Sequence, residues 1–109
     1  MEVEIKRFEI WQVDLNPTIG SEINKIRPCV VISPDQVNKF LKTVTIAALT
    51  HTIKEYPTRV DCYFKNQQGQ ICLDQIRSLD KIRFKQKLGE LDTATSVNVC
   101  KVLHELFEY

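Results

Sequence analysis

The sequence predicts a small, mostly β fold with α: an antiparallel barrel or sandwich with one helix packed on the sheet. Short segments rich in β-branched and aromatic residues, separated by turn residues, fill most of the chain before Asp92. A helical period of apolar residues follows Asp92. With 109 residues the chain is long enough for one domain with a real core, so we expect residues 1–109 to form a single domain.

Five segments have the composition of strands, with polar or turn-forming residues at their ends. They are Phe8–Leu15, Pro28–Ser33, Thr43–Leu49, Thr58–Phe64 and Ile71–Ile76. The first ends at Asn16-Pro17, and the second is continuously apolar, as in a buried strand. Pro34–Phe40 predicts a short helical turn. The fourth segment alternates between apolar and polar residues, and a hairpin-like turn over Asn66–Gly69 joins it to the fifth.

The segment Lys81–Leu88 alternates cations with mostly apolar residues. As a strand it would present four cations on one face, namely Lys81, Arg83, Lys85 and Lys87. One interpretation is the solvated face of an edge strand, where lysines discourage aggregation. The other is a stripe that follows an RNA backbone, and we weigh the two about equally.

The terminal segment predicts a helix with Asp92 as its N-cap. Apolar residues recur on one side of this helix, as in a helix packed on a sheet. They are Val99, Val102, Leu103, Leu106 and Phe107. His104 is expected to be a partly exposed helical residue without a catalytic role.

Composition restricts the classes of function. The net charge is +1, so affinity for nucleic acid would depend on local placement of Lys and Arg. The four cysteines form no C-x-x-C pair, which argues against a zinc site and a redox dithiol, and we expect buried thiols. No apolar stretch approaches a membrane span, and Met1–Glu4 is too acidic to open a signal peptide, so we expect a cytoplasmic protein.

Arg27-Pro28 lies between a Gly-bearing stretch, Asn16–Ile26, and the apolar run Cys29–Ile32. Pro28 lacks a backbone N–H and favours an extended conformation for Arg27. The guanidinium of Arg27 is therefore expected at the mouth of a buried strand beside a loop. Such a cation suits a phosphate group.

Three further places offer polar chemistry at strand ends. Gly20–Glu22 supplies a hydroxyl and a carboxylate, and Thr50–Thr52 ends an apolar strand in three hydrogen-bonding side chains. Asp74–Arg77 with Asp80 adds carboxylates and a guanidinium. Each has a structural alternative: Glu22 solvated, Thr50 and Thr52 in a turn, and Asp74 paired with Arg77.

Several motifs follow one another in a specific order along nearly the whole chain. They are Ile10–Thr18, Gly20–Glu22, Arg27–Ser33, Asn38, Thr50, Tyr56–Thr58, Leu73–Lys81 and Leu88–Leu91. In this order and spacing the chain resembles the MazF/PemK/Kid toxins of bacterial toxin–antitoxin modules.

The resemblance implies an SH3-like antiparallel β-barrel of the CcdB/MazF type, with the C-terminal helix on the sheet, and a homodimer. It also implies sequence-specific cleavage of single-stranded RNA, mainly messenger RNA, without a metal or other cofactor. An antitoxin with an acidic, initially disordered tail would block the same groove. Members of the family use residues at the positions of Arg27 and Thr50 for catalysis, and some use the aspartate matching Asp74.

RNA carries its own nucleophile, so the enzyme must help remove the 2′-OH proton, stabilise phosphoryl charge and protonate the leaving 5′-oxygen. Arg27 suits charge stabilisation, and Thr50 can donate a further hydrogen bond. Arg27 is a poor proton shuttle because its pKa is too high. The proton carriers therefore stay open between Asp74, Glu22, His51 and Arg27.

In one branch of the family a histidine in the first loop and an arginine two residues before the aspartate join the active site. Here these positions hold Ser21 and Cys72, which weakens an acid–base scheme centred on Asp74. His51 follows Thr50 and has a reference pKa suited to proton transfer, although a rim histidine is the larger expectation. Further contacts to RNA are expected from a polar and basic set. These are Ser21, Lys25, Thr52, Gln75, Arg77, Arg83 and Lys85.

Two other classes of function fit parts of the pattern. One is a toxin of the same fold that poisons a protein target such as DNA gyrase and does not cleave RNA. The other is a non-catalytic barrel that binds single-stranded nucleic acid through Lys81–Lys87, and it ranks lower because such binders use exposed aromatic platforms.

Overall fold

The structure is a computed structural model, and it describes residues 4–15 and 26–109. These residues form six strands, two α-helices and one 3₁₀ turn. The strands are β1 (Glu9–Asp14), β2 (Ile26–Val31), β3 (Thr43–Thr50), β4 (Arg59–Phe64), β5 (Gln67–Asp80) and β6 (Phe84–Glu90). The helices are α1 (Asp35–Phe40) and α2 (Thr93–Phe107), and Lys81–Arg83 form the 3₁₀ turn.

The six strands form one curled sheet in the order β4-β5-β3-β2-β1-β6, and every neighbouring pair is antiparallel. The helix α2 packs on β4 and β5. This arrangement confirms the predicted class, a small antiparallel β fold with a C-terminal helix on the sheet. Among the described strands, β4 and β6 are the two edges.

Each face of the sheet carries its own apolar cluster. The cluster on the face away from α2 includes Trp11, Val13, Cys29, Val31 and Ile46, all buried. The cluster under α2 is built from alternate residues of the same strands together with Val99 of the helix. Because both faces of β2 and β3 are covered, their continuous apolar character is explained.

The turn between β4 and β5 differs from the predicted one. Lys65 and Asn66 have φ angles of 52° and 60°, so the two strands are joined by a two-residue turn in the left-handed region. Gln67–Gly69, predicted as part of the turn, belong to β5. The strand β5 also runs on to Asp80, well past the predicted end at Ile76.

An irregularity in β5 lies in the middle of its pairing with β3. Ala48 pairs with Cys72, whereas the preceding Ala47 pairs with Ile76. The segment Leu73–Gln75 therefore bulges out of register with β3. This bulge carries Asp74 and Gln75, two of the residues that the sequence singled out.

The prediction of one continuous basic strand over Lys81–Leu88 is wrong in its first three residues. The carboxylate of Asp80 accepts a hydrogen bond from the backbone N–H of Ile82 at 3.0 Å and caps the 3₁₀ turn. Ile82 is 80% exposed, whereas Phe84 is buried, so the alternation is broken between them. Lys87 instead forms ion pairs with Glu9 and Glu90.

The predicted apolar side of α2 is correct only for its middle part. Val99 is buried, and Val102 and Leu103 pack against the same cluster. Leu106 and Phe107 are exposed, with 73% of Phe107 accessible, because no described part of this chain covers the last turn.

Candidate active site

The pairing registers place four residues in one row across the sheet. Arg59 of β4 pairs with Cys72 of β5, Cys72 with Ala48 of β3, and Ala48 with Cys29 of β2. Residues that pair directly in an antiparallel sheet project from the same face. The row therefore lies on the face away from α2, and it is the frame on which the candidate site is built.

Arg27 and Thr50 project from this same face. Arg27 lies two residues before Cys29 in β2, and Thr50 lies two residues after Ala48 in β3. Because β2 and β3 are antiparallel, both residues lie at the same end of this strand pair. The backbone of Arg27 pairs with Val13, so its strand is fixed on the other side by β1.

Charged side chains near the two buried cysteines of the row affect the pKa values of their thiols. Burial raises the pKa of Cys29 to about 12, while the charges of Arg27 and Arg77 act in the opposite direction. Burial also raises the pKa of Cys72, against the charges of Arg59 and Arg27. The charge of Arg27 thus acts on both buried thiols, that of Arg77 on Cys29 and that of Arg59 on Cys72.

Thr50 combines a backbone anchor with an available donor. Its Oγ1 accepts a hydrogen bond from the backbone N–H of Thr52 at 3.1 Å. Since a hydroxyl both donates and accepts, the hydrogen of Thr50 stays available for a ligand. The side chain is half-buried at the end of β3.

Gly69 allows the end of β3 to approach β5 closely. A Cβ at this position would lie 2.8 Å from the carbonyl oxygen of Thr50, a contact that would force the backbone apart. The absence of a side chain at Gly69 therefore helps to set the position of Thr50 and His51.

Gln70 holds the segment that follows Thr50. Its amide donates to the carbonyl oxygen of Lys54 and accepts from the backbone N–H of Lys54, both at 3.0 Å. It also donates to the carboxylate of Asp61 at 2.9 Å. Gln70 is buried. Its hydrogen bonds to Lys54 hold the chain that follows Thr50 against β5, beyond the end of the β3–β5 pairing.

Asp74 forms an ion pair with Arg59, not with Arg77 as the structural alternative proposed. Nε of Arg59 donates to Oδ1 of Asp74 at 2.9 Å, and an Nη group lies 3.5 Å from Oδ2. Partial burial raises the pKa of Asp74, but the hydrogen bonds and charge of Arg59, with a bond from Thr58, outweigh it, and the pKa is lowered. The hydrogen bond to Asp74 raises the pKa of Arg59.

Arg59 is a residue of the site that sequence reasoning missed. Its guanidinium lies 5.2 Å from the ring centroid of Tyr56, which is 51% exposed. No local sequence signal marks Arg59, because its place in the site depends on the register of the β4–β5 hairpin, which sets it opposite Cys72.

His51 and Thr52 are exposed beyond the end of β3. Nδ1 of His51 lies 3.4 Å from the carbonyl oxygen of Gln68, a weak contact at the rim. Gln75 and Arg77 are exposed on β5. Each of these residues is accessible to a ligand that lies across the site.

The remaining predicted residues fall into two groups. Arg83 donates to the carbonyl oxygen of Asp14 at 3.3 Å and so lies at the end of β1 that is next to the start of β2. Lys85 is exposed on the edge strand β6. The other three, Ser21, Glu22 and Lys25, lie outside the described residues.

Potential metal ligands are scattered in the described ranges. Within residues 4–15 and 26–109, no three His, Cys, Asp or Glu side chains are grouped as metal ligands would be. Cys29, Cys62, Cys72 and Cys100 are free thiols, and Cys100 is the most exposed of them. In the described part of the chain, no helix has both the length and the apolar character needed to cross a membrane.

Comparison with known proteins identifies the family to which this chain belongs. The chain belongs to the PemK-like, MazF-like toxins of type II toxin–antitoxin systems, because the sequence model of that family matches residues 6–107. The family predicted from the motifs is thereby confirmed.

Individual proteins also resemble this chain over most of its length. The chain is 38% identical over 105 residues to the endoribonuclease MazF of Staphylococcus epidermidis, covering 91% of this chain and 88% of the relative. It superposes on the MazF of Deinococcus radiodurans with a TM-score of 0.81 and 24% identity, covering 99% of this chain and all of the other. A mycobacterial endoribonuclease solved with its cognate antitoxin gives a TM-score of 0.80 and 24% identity, covering 93% and 92% of the two chains. These two structural likenesses establish the fold.

Proposed function

We propose that this chain is an endoribonuclease toxin that cleaves single-stranded RNA, chiefly messenger RNA, at specific sequences. The observation that carries the proposal is the placement of Arg27 and Thr50 at the same end of β2 and β3, on one face of the sheet. Family membership and a relative named as an endoribonuclease support it. A protein-poisoning toxin of the same fold gains no comparable support.

The proposed reaction uses the 2′-hydroxyl of RNA as the nucleophile. Its oxygen attacks the adjacent phosphorus, a new P–O2′ bond forms, and the bond to the 5′-oxygen breaks. The 2′-OH loses a proton and the leaving 5′-oxygen gains one. The products are a 2′,3′-cyclic phosphate and a 5′-hydroxyl end, and this scheme needs no metal and no covalent enzyme intermediate.

Arg27 is proposed to stabilise the charge that develops on the non-bridging phosphoryl oxygens. Its guanidinium is always charged and its fork matches two oxygens at once. The fixed backbone of β2, paired with β1 through Arg27 itself, favours a preorganised position.

Thr50 is proposed to donate its hydroxyl hydrogen to the same phosphoryl group. The bond that Oγ1 accepts from Thr52 orients the hydroxyl, which supports this role. A donor of this kind is effective because it is in place before the charge develops.

Proton transfer is proposed to fall to residues other than Asp74. The pKa of Asp74 is lowered and its oxygens are engaged by Arg59, so near neutral pH it is an ionised carboxylate that has no proton to give and that is a weak base. The proposed carriers are His51, an imidazole at the rim of the site, and Glu22, a carboxylate five residues before Arg27 in the sequence.

Recognition of RNA is proposed to involve the exposed groups around the row of paired residues. Tyr56 offers a half-exposed ring on which a base can stack. Thr52, Gln75 and Arg77 are exposed and can contact bases or phosphates. Arg83 lies at the nearby end of β1, and Lys85 extends the positive charge along β6.

The same cations are proposed to receive the acidic tail of a cognate antitoxin, which would compete with RNA for the site. We also propose a homodimer that acts on messenger RNA in the cytoplasm. The exposed apolar residues at the end of α2, Leu106 and Phe107, are consistent with a second copy covering them.

The test uses two RNAs that differ at one sugar. The cut sites are first mapped on a long RNA, and a short RNA spanning one site is then made with ribose or 2′-deoxyribose at the cut position. We expect cleavage of the ribose form to a cyclic phosphate and a 5′-hydroxyl end, and no cleavage of the deoxy form. Cleavage of both would contradict attack by the 2′-hydroxyl.

A further inference from the structure

We propose that Arg59 binds a phosphate group of the RNA strand other than the scissile one, and that Asp74 is its positioning residue. This inference rests on the proposed ribonuclease function and adds a second, separate contact to the RNA backbone.

Arg59 is held in one orientation. Two of its N–H groups point to the carboxylate of Asp74, at 2.9 and 3.5 Å, and the ring of Tyr56 lies against its guanidinium. Only 9% of its side chain is exposed. A long side chain that is already ordered loses little conformational entropy when a ligand binds.

The ion pair with Asp74 leaves part of the guanidinium unused. An arginine has five N–H donors, and Asp74 engages Nε and one Nη group. Within residues 4–15 and 26–109, the other N–H groups of Arg59 meet no acceptor. A phosphate oxygen that reaches this edge would be bound while Asp74 stays in place.

The distance between Arg59 and Arg27 along the sheet indicates that the two residues bind different phosphates of the RNA. The row Arg59, Cys72, Ala48, Cys29 crosses from β4 to β2, which is three strand spacings or about 14 Å. Arg27 lies a further two residues along β2. One RNA strand lying across β2, β3 and β5 would meet both cations at successive positions.

Arg59 is assigned to the binding of RNA and not to the chemical step. Its loss should therefore change KM much more than kcat. We expect Arg59→Gln to raise KM about tenfold and to change kcat by less than about threefold. Asp74→Asn should leave the shape of the pH profile of kcat unchanged, because Asp74 only positions a cation. A lost acidic or alkaline limb in Asp74→Asn would show that Asp74 transfers a proton and would overturn its positioning role.

Salt dependence of binding gives the most specific test. The probe is a short single-stranded RNA that spans a mapped cut site and carries 2′-deoxyribose at the cut position, so that it binds without being cleaved. Its Kd is measured by fluorescence anisotropy between low and moderate salt. For Arg59→Gln we expect about tenfold weaker binding and a slope of log Kd against log salt reduced by about 0.7, the loss of one phosphate contact.

Two further variants separate binding from folding. Lys39→Gln removes an exposed cation on α1, at the opposite end of β2 and β3 from Arg27, and should bind the probe like the parent protein. Arg59→Lys keeps the charge and loses the fork, so it should keep the parent's salt slope with weaker binding. It also provides a folded variant if Arg59→Gln unfolds, and thermal unfolding reports this directly.

The outcomes distinguish this inference from the proposed function. If the parent cleaves RNA while the folded Arg59→Gln variant binds the probe with the parent's Kd and slope, Arg59 is only a structural partner of Asp74 and the inference fails. A fall in kcat at unchanged Kd would place Arg59 in the chemical step and would also overturn it. A parent that neither binds nor cleaves RNA would contradict the proposed function itself.

Discussion

Two neighbours fix the position of Thr50. Its Oγ1 accepts a hydrogen bond from the backbone N–H of Thr52, and Gly69 lets β3 end close to β5. Neither contact uses the hydroxyl hydrogen. In the proposed reaction Thr50 therefore acts as a preorganised donor at the same end of the strand pair as Arg27.

Loss of this hydroxyl should slow the chemical step. We predict that Thr50→Ala lowers kcat by about 10²–10³, the usual effect of removing one donor from a preorganised site. Thr50→Ser keeps the hydroxyl and should retain most of the activity. Thr43→Ala, at the exposed opposite end of the same strand, is the matched control. Equal kcat values for Thr50→Ala and Thr43→Ala would exclude a role for the Thr50 hydroxyl.

A variant of His51 tests whether this residue transfers a proton in the reaction. If His51 carries a proton, His51→Gln should flatten the acidic limb of the pH–rate profile, because an imidazole titrates there and an amide does not. The measurement is kcat against pH for the two proteins. A profile of unchanged shape would leave His51 as a rim residue that stacks on a base or faces solvent.

At the scale of elements, the end of β3 depends on its close approach to β5. A methyl group at Gly69 would meet the carbonyl oxygen of Thr50 at 2.8 Å, so Gly69→Ala must displace Thr50 and His51. We predict that Gly69→Ala sharply lowers the rate of RNA cleavage while the protein stays folded. The cleavage assay measures the first effect, and thermal unfolding measures the second. A matched control is Gly89→Ala, whose added Cβ would meet a ring carbon of Phe64 at an ordinary 3.5 Å. If both variants cleave RNA like the parent, the position of Thr50 does not depend on Gly69.

Arg59 illustrates how far the sequence could predict the site. The strand Thr58–Phe64 was predicted from its alternation, but the partner of each residue depends on the turn that joins β4 to β5. The turn lies at Lys65-Asn66, one step earlier than the Gly-containing segment suggested, and this sets Arg59 opposite Cys72. Two non-glycine residues with positive φ give no strong sequence signal, so the pair with Asp74 could not be predicted.

The bulge in β5 and the 3₁₀ turn after it were missed for a related reason. Both depend on how β5 pairs with β3, which is a long-range property that local composition does not encode. By contrast, the apolar runs of β2 and β3 follow from local composition and were located correctly. Arg27 and Thr50 were found because each stands at an end of one of these runs.

At the scale of the whole molecule, Glu9 is a buried carboxylate whose ionised form the fold stabilises. Burial raises its pKa, but hydrogen bonds from the backbone of Lys6, from Trp11 and from Lys87 outweigh burial and lower it. It is 5% exposed, and Nζ of Lys87 lies 2.9 Å from it. Glu9 thus ties the first strand to β6.

This arrangement predicts acid sensitivity. A carboxylate whose pKa is lowered on folding contributes stability above its unfolded pKa and loses that contribution as the pH falls through the folded value. The free energy of unfolding of the parent should therefore fall below about pH 4.5 more steeply than that of Glu9→Gln. Urea unfolding from pH 7 to pH 3 measures this, with Glu105→Gln on the exposed side of α2 as the control. Parallel curves for all three proteins would contradict the role of Glu9.

Arg27 is proposed to stabilise the charge of a scissile RNA phosphate without a metal. The most direct measurement incubates the protein with a long RNA in excess chelator, maps the cut ends and repeats the assay with Arg27→Ala and with Lys39→Ala as a control. The account predicts specific cleavage by the parent and by Lys39→Ala, and a loss of at least about 10²–10³ in rate for Arg27→Ala. Undiminished cleavage by Arg27→Ala, or no cleavage by the folded parent in chelator, would contradict it.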